Sequence, residues 1–193
     1  DNVTGLTVQL TETGMNTTSG IGQSVDQSGN YDLVSLNAPS GNTITSSTIT
    51  GLGYFVIGQK SLPMAVTSST STQTIVTPVY ANTIDQQILE IQIVTAGNAS
   101  PISATSFDLY TTGTTNLSDI TNAKIYYTGT TNTFATTNLF GNATPASSYS
   151  ISGSQVLAEG TNYFWLVYDI SSSATYDNLI DAECTAITVE GNA

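Results

Sequence analysis

Residues 163–170, Tyr-Phe-Trp-Leu-Val-Tyr-Asp-Ile, are apolar on both parities of an extended chain. A strand of that kind must be covered on both faces, so it reads as the central strand of a layered sheet. Other segments carry the period of half-buried strands. Leu6, Val8 and Leu10 alternate with polar neighbours, as do Leu89, Ile91 and Ile93 against Glu90 and Gln92, and Thr105, Phe107 and Leu109 against Ser106 and Asp108. Tyr31–Leu36, Thr43–Thr50, Ala123–Tyr127 and Leu179–Val189 are further strand candidates, set apart by Gly, Asn, Ser and Pro turns. The run Tyr54-Phe55-Val56-Ile57 is apolar at every position and predicts a strand buried on both faces. Val66–Val76, rich in Ser and Thr and free of glycine, predicts an edge strand that opens a second domain. The class is all-β, an antiparallel β-sandwich of immunoglobulin-like or jelly-roll-like form with no significant helix. Residues 1–62 read as a small β-module or partial domain packing on its neighbour, and 63–193 as a β-sandwich module; sixty residues alone make a thin core.

The chain has 193 residues, no histidine, no arginine and two lysines, Lys60 and Lys124, against fourteen acidic residues, a net charge of −12. Acid–base catalysis near neutral pH most often uses histidine, and anion recognition uses arginine or lysine. Without a basic stripe nucleic-acid binding is excluded, an anionic membrane repels the chain, and no apolar run is long enough for membrane insertion as a helix. The start at Asp1 reads as that of a mature or excised product. Cys184 is the only cysteine, so no internal disulfide can form. Its parity with Ile180, Ala182 and Ala186 predicts a thiol buried in the core, with no histidine to activate it.

From about Leu62 to Val189 the chain resembles the module found at the N-terminus of BNR-repeat sialidase-like proteins. The segments that carry the resemblance are IDQQILEIQIVTAGN (84–98), FDLYTTGTTNLSDITNAKIYYTGTTNTF (107–134), LAEGTNYFWLVYDI (157–170) and DAECTAITV (181–189). The resemblance implies a β-sandwich typical of large secreted or cell-surface proteins of Bacteroidota, and supplies no catalytic residues. A sialidase site grips its substrate carboxylate with arginines. This chain has none, so the activity does not follow from the resemblance.

Three kinds of site are possible on composition. A carboxylate pair could hydrolyse a neutral glycan. The candidates are Asp177, Asp181 and Glu183, or Asp108 and Asp119; Asp181 and Glu183 share a strand face about 6–7 Å apart by strand rise. Hard oxygen ligands for calcium are offered by Asp177, Asn178 and Asp181, and by Asn116 with Asp119. Neutral glycans stack on aromatic faces, for which Tyr126 and Trp165 are the leading candidates, with Tyr149 and Tyr163 beside them. Tyr126 shares a strand face with Lys124, which predicts exposure; Trp165 lies in an apolar run, which predicts a core role. A lysine isopeptide crosslink would need Lys60 or Lys124 buried beside an amide and an acid, and Lys124 reads as pointing outward. The leading expectation is a non-catalytic, secreted or cell-surface module that acts as a structural or adhesive segment or a filament subunit. Its partners would be neighbouring modules or identical subunits. A carbohydrate-binding module, calcium-assisted, is the alternative, and a glycan hydrolase a distant one.

Overall fold

The computed structural model describes residues 5–16, 19–27, 30–35, 37–59 and 62–191. It divides into two compact units, Asp1–Leu62 and Pro63–Ala193. The only helical element among the described residues is the three-residue 3-10 turn Leu117–Asp119.

The described residues of the first unit form five short strands. β1 (Gln9–Thr11) pairs with β4 (Thr43–Thr45), and β2 (Ser19–Ser24) lies between β3 (Asp32–Leu33) and β5 (Tyr54–Gln59), all antiparallel. Ile21, Ile44 and Ile49 are its buried apolar side chains among the described residues. Buried serines assist this small interior by capping backbone groups. Ser35 Oγ accepts the Ile21 N–H at 2.9 Å, and Ser46 Oγ accepts the Val8 N–H at 2.8 Å. The Tyr54–Ile57 run departs from the sequence expectation, since Tyr54 is 48% and Val56 42% exposed. β5 is an edge strand of a three-stranded sheet, and so small a unit buries only one side of it.

The second unit is a sandwich of eight antiparallel strands. The larger sheet has the order β10-β9-β12-β7-β6 and the smaller β11-β8-β13. These strands are β6 (Ala65–Thr72), β7 (Gln86–Ala96), β8 (Ile102–Tyr110), β9 (Ile120–Tyr127), β10 (Leu139–Ala143), β11 (Ser148–Val156), β12 (Gly160–Ile170) and β13 (Glu183–Gly191). β12 is the central strand that its double-sided apolar pattern requires, and β6 is the edge strand that its Ser/Thr content requires. Leu89, Ile91 and Ile93 of β7 and Phe164, Leu166 and Tyr168 of β12 meet Phe107 and Leu109 of β8 and Ile151 of β11 in one core. Phe107 is its centre, in edge contact with Phe140 at 5.1 Å and tilted against Phe164 at 4.9 Å between ring centroids.

One side of the sandwich closes through glycine. A Cβ on Gly141 of β10 would strike the Ser152 carbonyl oxygen of β11, and a Cβ on Gly153 would strike the Phe140 carbonyl oxygen. β10 and β11 therefore approach backbone to backbone, which only glycine permits. Gly153→Ala forces them apart above the Phe140 ring and is expected to cost about 2 kcal/mol, read as a lowered urea midpoint with unchanged slope.

Candidate functional site

The charged centre of the second unit lies on the face of the larger sheet turned away from the core. Odd-numbered positions of β12 and even-numbered positions of β9 point there, which sets Lys124 beside Asp169, with Asp85 ahead of β7. Lys124 Nζ donates to Asp169 Oδ1 at 2.8 Å and to Asp85 Oδ1 at 2.9 Å. Asp85 holds a left-handed φ of 54°, and its N–H donates to the same Asp169 oxygen at 3.0 Å. The Tyr126 hydroxyl donates to Asp85 Oδ1 at 3.1 Å. One ammonium thus holds two carboxylates from separate parts of the chain, and fastens the segment before β7 to the sheet.

The electrostatics hold Lys124 and Asp169 ionised. Partial burial pulls the Lys124 ammonium down, but hydrogen bonds to Asp169 and Asp85 and their charges outweigh it, leaving its pKa above the ordinary 10.5. Partial burial pushes Asp169 up, and the Lys124 and Asp85 N–H bonds outweigh it, leaving its pKa below the ordinary 3.8. Because Lys124 is raised, its stabilisation is complete below its unfolded value and is lost as pH rises through the folded one. Because Asp169 is lowered, its stabilisation is complete above its unfolded value and is lost as pH falls through the folded one. The clamp is therefore intact throughout the neutral range, where neither group can exchange a proton usefully. Both hydrogen bonds of Lys124 Nζ go to carboxylates rather than to a side-chain amide, which is an ion pair and not the lysine–amide geometry of an isopeptide. Lys60 lies outside the described residues. Lys124→Met leaves two carboxylates facing each other, and is expected to cost about 1 kcal/mol near pH 7, less at high salt. Thermal unfolding across pH checks it, with wild type and variant converging below the acid limit.

Tyr126, Trp165 and Tyr163 lie on the same face, and the exposure expected of Tyr126 is corrected. Tyr126 is 8% exposed and Trp165 3%. Outward parity does not give a free ring here, because Tyr126 stands between its cross-strand neighbours Trp165 and Leu139 while its hydroxyl is held by Asp85. The Trp165 indole N–H donates to Thr128 Oγ1 at 2.8 Å, Tyr163 stacks on the ring at 6.4 Å, and Phe134 meets it at 5.9 Å. Neither Tyr126 nor Trp165 offers an open stacking face. Tyr149 packs against the core, its hydroxyl 3.0 Å from that of Tyr168; burial pushes its pKa up to about 12. The widely exposed tyrosines are Tyr80 and Tyr176, which polar loops hide from a periodicity reading.

Of the five metal-ligand candidates, the structure gathers Asn116, Asp119 and Asn178. Asp119 is 3% exposed, and its carboxylate accepts from Asn178 Nδ2 at 2.7 Å, Asn116 Nδ2 at 3.0 Å and the Thr175 N–H at 3.2 Å. This knot ties the loop before β9 to the loop after β12. Asp177 is exposed with a φ of 63°. Asp181 lies apart, its carboxylate accepting the Ala182 N–H at 2.8 Å and its own N–H donating to Thr114 at 2.9 Å. Among the described residues no three His, Cys, Asp or Glu side chains come together. Glu183 is exposed, and Asp108 accepts from Ser150 Oγ at 2.6 Å, so each candidate carboxylate has its own surroundings.

Cys184 also departs from expectation. It touches the core but is only half-buried, lining a groove of about 180 Å³ with Ser69–Ser71, Ile91 and Thr185–Ile187. A register shift between Cys184 and Ala186 breaks the parity on which core placement rested, and Ala186 is exposed. Burial, followed by the charge of Asp108, pushes the thiol up to about 11, so it is protonated at neutral pH.

Two features of the site were not signalled as such in the sequence, the carboxylates Asp85 and Asp169 and the fully buried amide of Asn162. Lys124, one of two lysines in so acidic a chain, is the available signal for the first. A family model described as the N-terminal domain of BNR-repeat neuraminidase matches residues 67–193. No curated protein matches the chain.

Proposed function

The chain belongs to the family of N-terminal domains of BNR-repeat neuraminidases, and on that premise we propose that it is a non-catalytic structural segment of a secreted or cell-surface protein. The observation that carries this reading is the state of Lys124, the one lysine among the described residues, which is saturated by Asp85 and Asp169. With no arginine in the chain, no side-chain cation among the described residues is left to receive a sialic acid carboxylate. The ion cluster and the Asp119 knot both serve to fix loops to the sandwich, the work of a body that holds its shape and passes contacts to neighbours. The direct test is hydrolysis of a fluorogenic sialoside together with a glycan-binding panel. No turnover and no selective binding are expected. Turnover above the buffer rate would overturn the reading, and selective glycan binding lost in Trp165→Ala would replace it with a carbohydrate-binding one.

A further inference from the structure

The eight-stranded unit has four edge strands, β10 and β6 in one sheet and β11 and β13 in the other. Unpaired edges invite another chain, and proteins usually guard them. β10 and β11 are pressed against each other at Gly141 and Gly153. β13 carries exposed Glu183 and Glu190. β6 has no such protection. It pairs with β7 alone, all eight of its residues are exposed, and it contains no charge and no proline. Its one bulge falls between Val66 and Ser68, so Ser68–Thr72 runs in unbroken register against Val94–Glu90. The groove lined by Cys184 separates this strand from β13 and leaves that side of the sandwich open.

We propose that β6 pairs antiparallel with β6 of a second copy through Ser68–Thr72, joining two five-stranded sheets into one of ten strands. The inference rests on the structural role proposed above. Charge selects the occupant. The chain carries −12, yet residues 61–84 hold no charged side chain, so here two copies meet without like charges opposed. A basic partner would find nothing to grip at this edge. With a two-fold axis at Thr70, Ser69 of each copy stands opposite Ser71 of the other, and Ser68 opposite Thr72, small hydroxyl pairs that suit cross-strand contact. A single strand pair falls short of a standard interface, so the dimer is weak and grows with concentration. Salt strengthens it, because it screens the repulsion between the remaining acidic surfaces.

Sedimentation velocity on the full chain, from about 10 μM to about 1 mM, tests this directly. The dimer fraction should rise with concentration and with salt. Ser69→Asp with Ser71→Asp sets carboxylates opposite one another and should weaken association at least about tenfold, whereas Thr130→Asp in an exposed turn should not. Hydrogen exchange on the wild type supplies a readout independent of the variants' folding, since β6 amides should gain protection as concentration rises. Association that ignores the paired substitutions, or concentration-independent β6 exchange, would overturn the inference by moving the contact elsewhere. A monomer at every concentration would also overturn it, while leaving the structural reading, which sialoside hydrolysis tests separately.

Discussion

Asn162→Ala is expected to lower the stability of the second unit by about 4 kcal/mol, with a fall in Tm of order 10 °C. The Asn162 side chain is fully buried in β12 and makes five hydrogen bonds. Its Oδ1 accepts from the Tyr127 hydroxyl at 2.7 Å and the Ala158 N–H at 2.9 Å. Its Nδ2 donates to the carbonyls of Ala158 at 2.8 Å, Gly160 at 3.2 Å and Ile93 at 3.3 Å. Truncation leaves the Tyr127 hydroxyl and the Ala158 N–H without a partner in the interior, and each such loss costs about 1–3 kcal/mol. Asn162→Leu keeps the branching of the side chain without its polar atoms and, being larger, leaves no cavity, so an equal or larger loss from it excludes a cavity as the cause. Tyr127→Phe removes one donor and leaves Asn162 otherwise satisfied; it should cost about 1 kcal/mol, and the pair should be strongly non-additive in a double-mutant cycle. Additive losses, or an Asn162→Leu variant as stable as wild type, would contradict this account.

Asn162 also marks what the sequence could and could not disclose. The period-2 pattern locates β7 and β8, and the run apolar on both parities makes β12 central, because backbone parity and burial coincide where two layers meet. The same logic fails where they separate. Tyr126 has outward parity but is covered by its neighbours, Tyr54 and Val56 look buried but lie on an edge strand, and a bulge takes Cys184 out of step. Asn162 has the parity of Phe164 and Leu166, and only three dimensions show that five hydrogen bonds satisfy it there. The ion cluster was hidden for another reason. Lys124 meets acids 39 and 45 residues away, and no local pattern encodes such pairings.

Asp119→Ala should be the second large loss, about 3 kcal/mol, and it bears on how the loop cluster is understood. The sequence offers Asn116, Asp119 and Asn178 as oxygen ligands for calcium, and the fold brings these three together. In the arrangement observed, however, both amides turn their NH₂ groups towards the Asp119 carboxylate, and the Thr175 N–H adds a third donor. A buried carboxylate answered by three donors is already solvated by the protein, and removing it strands those donors. Asp119→Asn keeps the shape but places an NH₂ among donors, so it should recover only part of the loss. Denaturation in EDTA reads these protein hydrogen bonds alone, and the full difference between wild type and Asp119→Ala should persist there. A difference that appears only with added calcium would instead make the knot a metal site whose amides turn to present oxygen. Either result decides whether the loops are held by the chain itself or by an ion, and hence whether calcium can govern the rigidity that a structural segment needs.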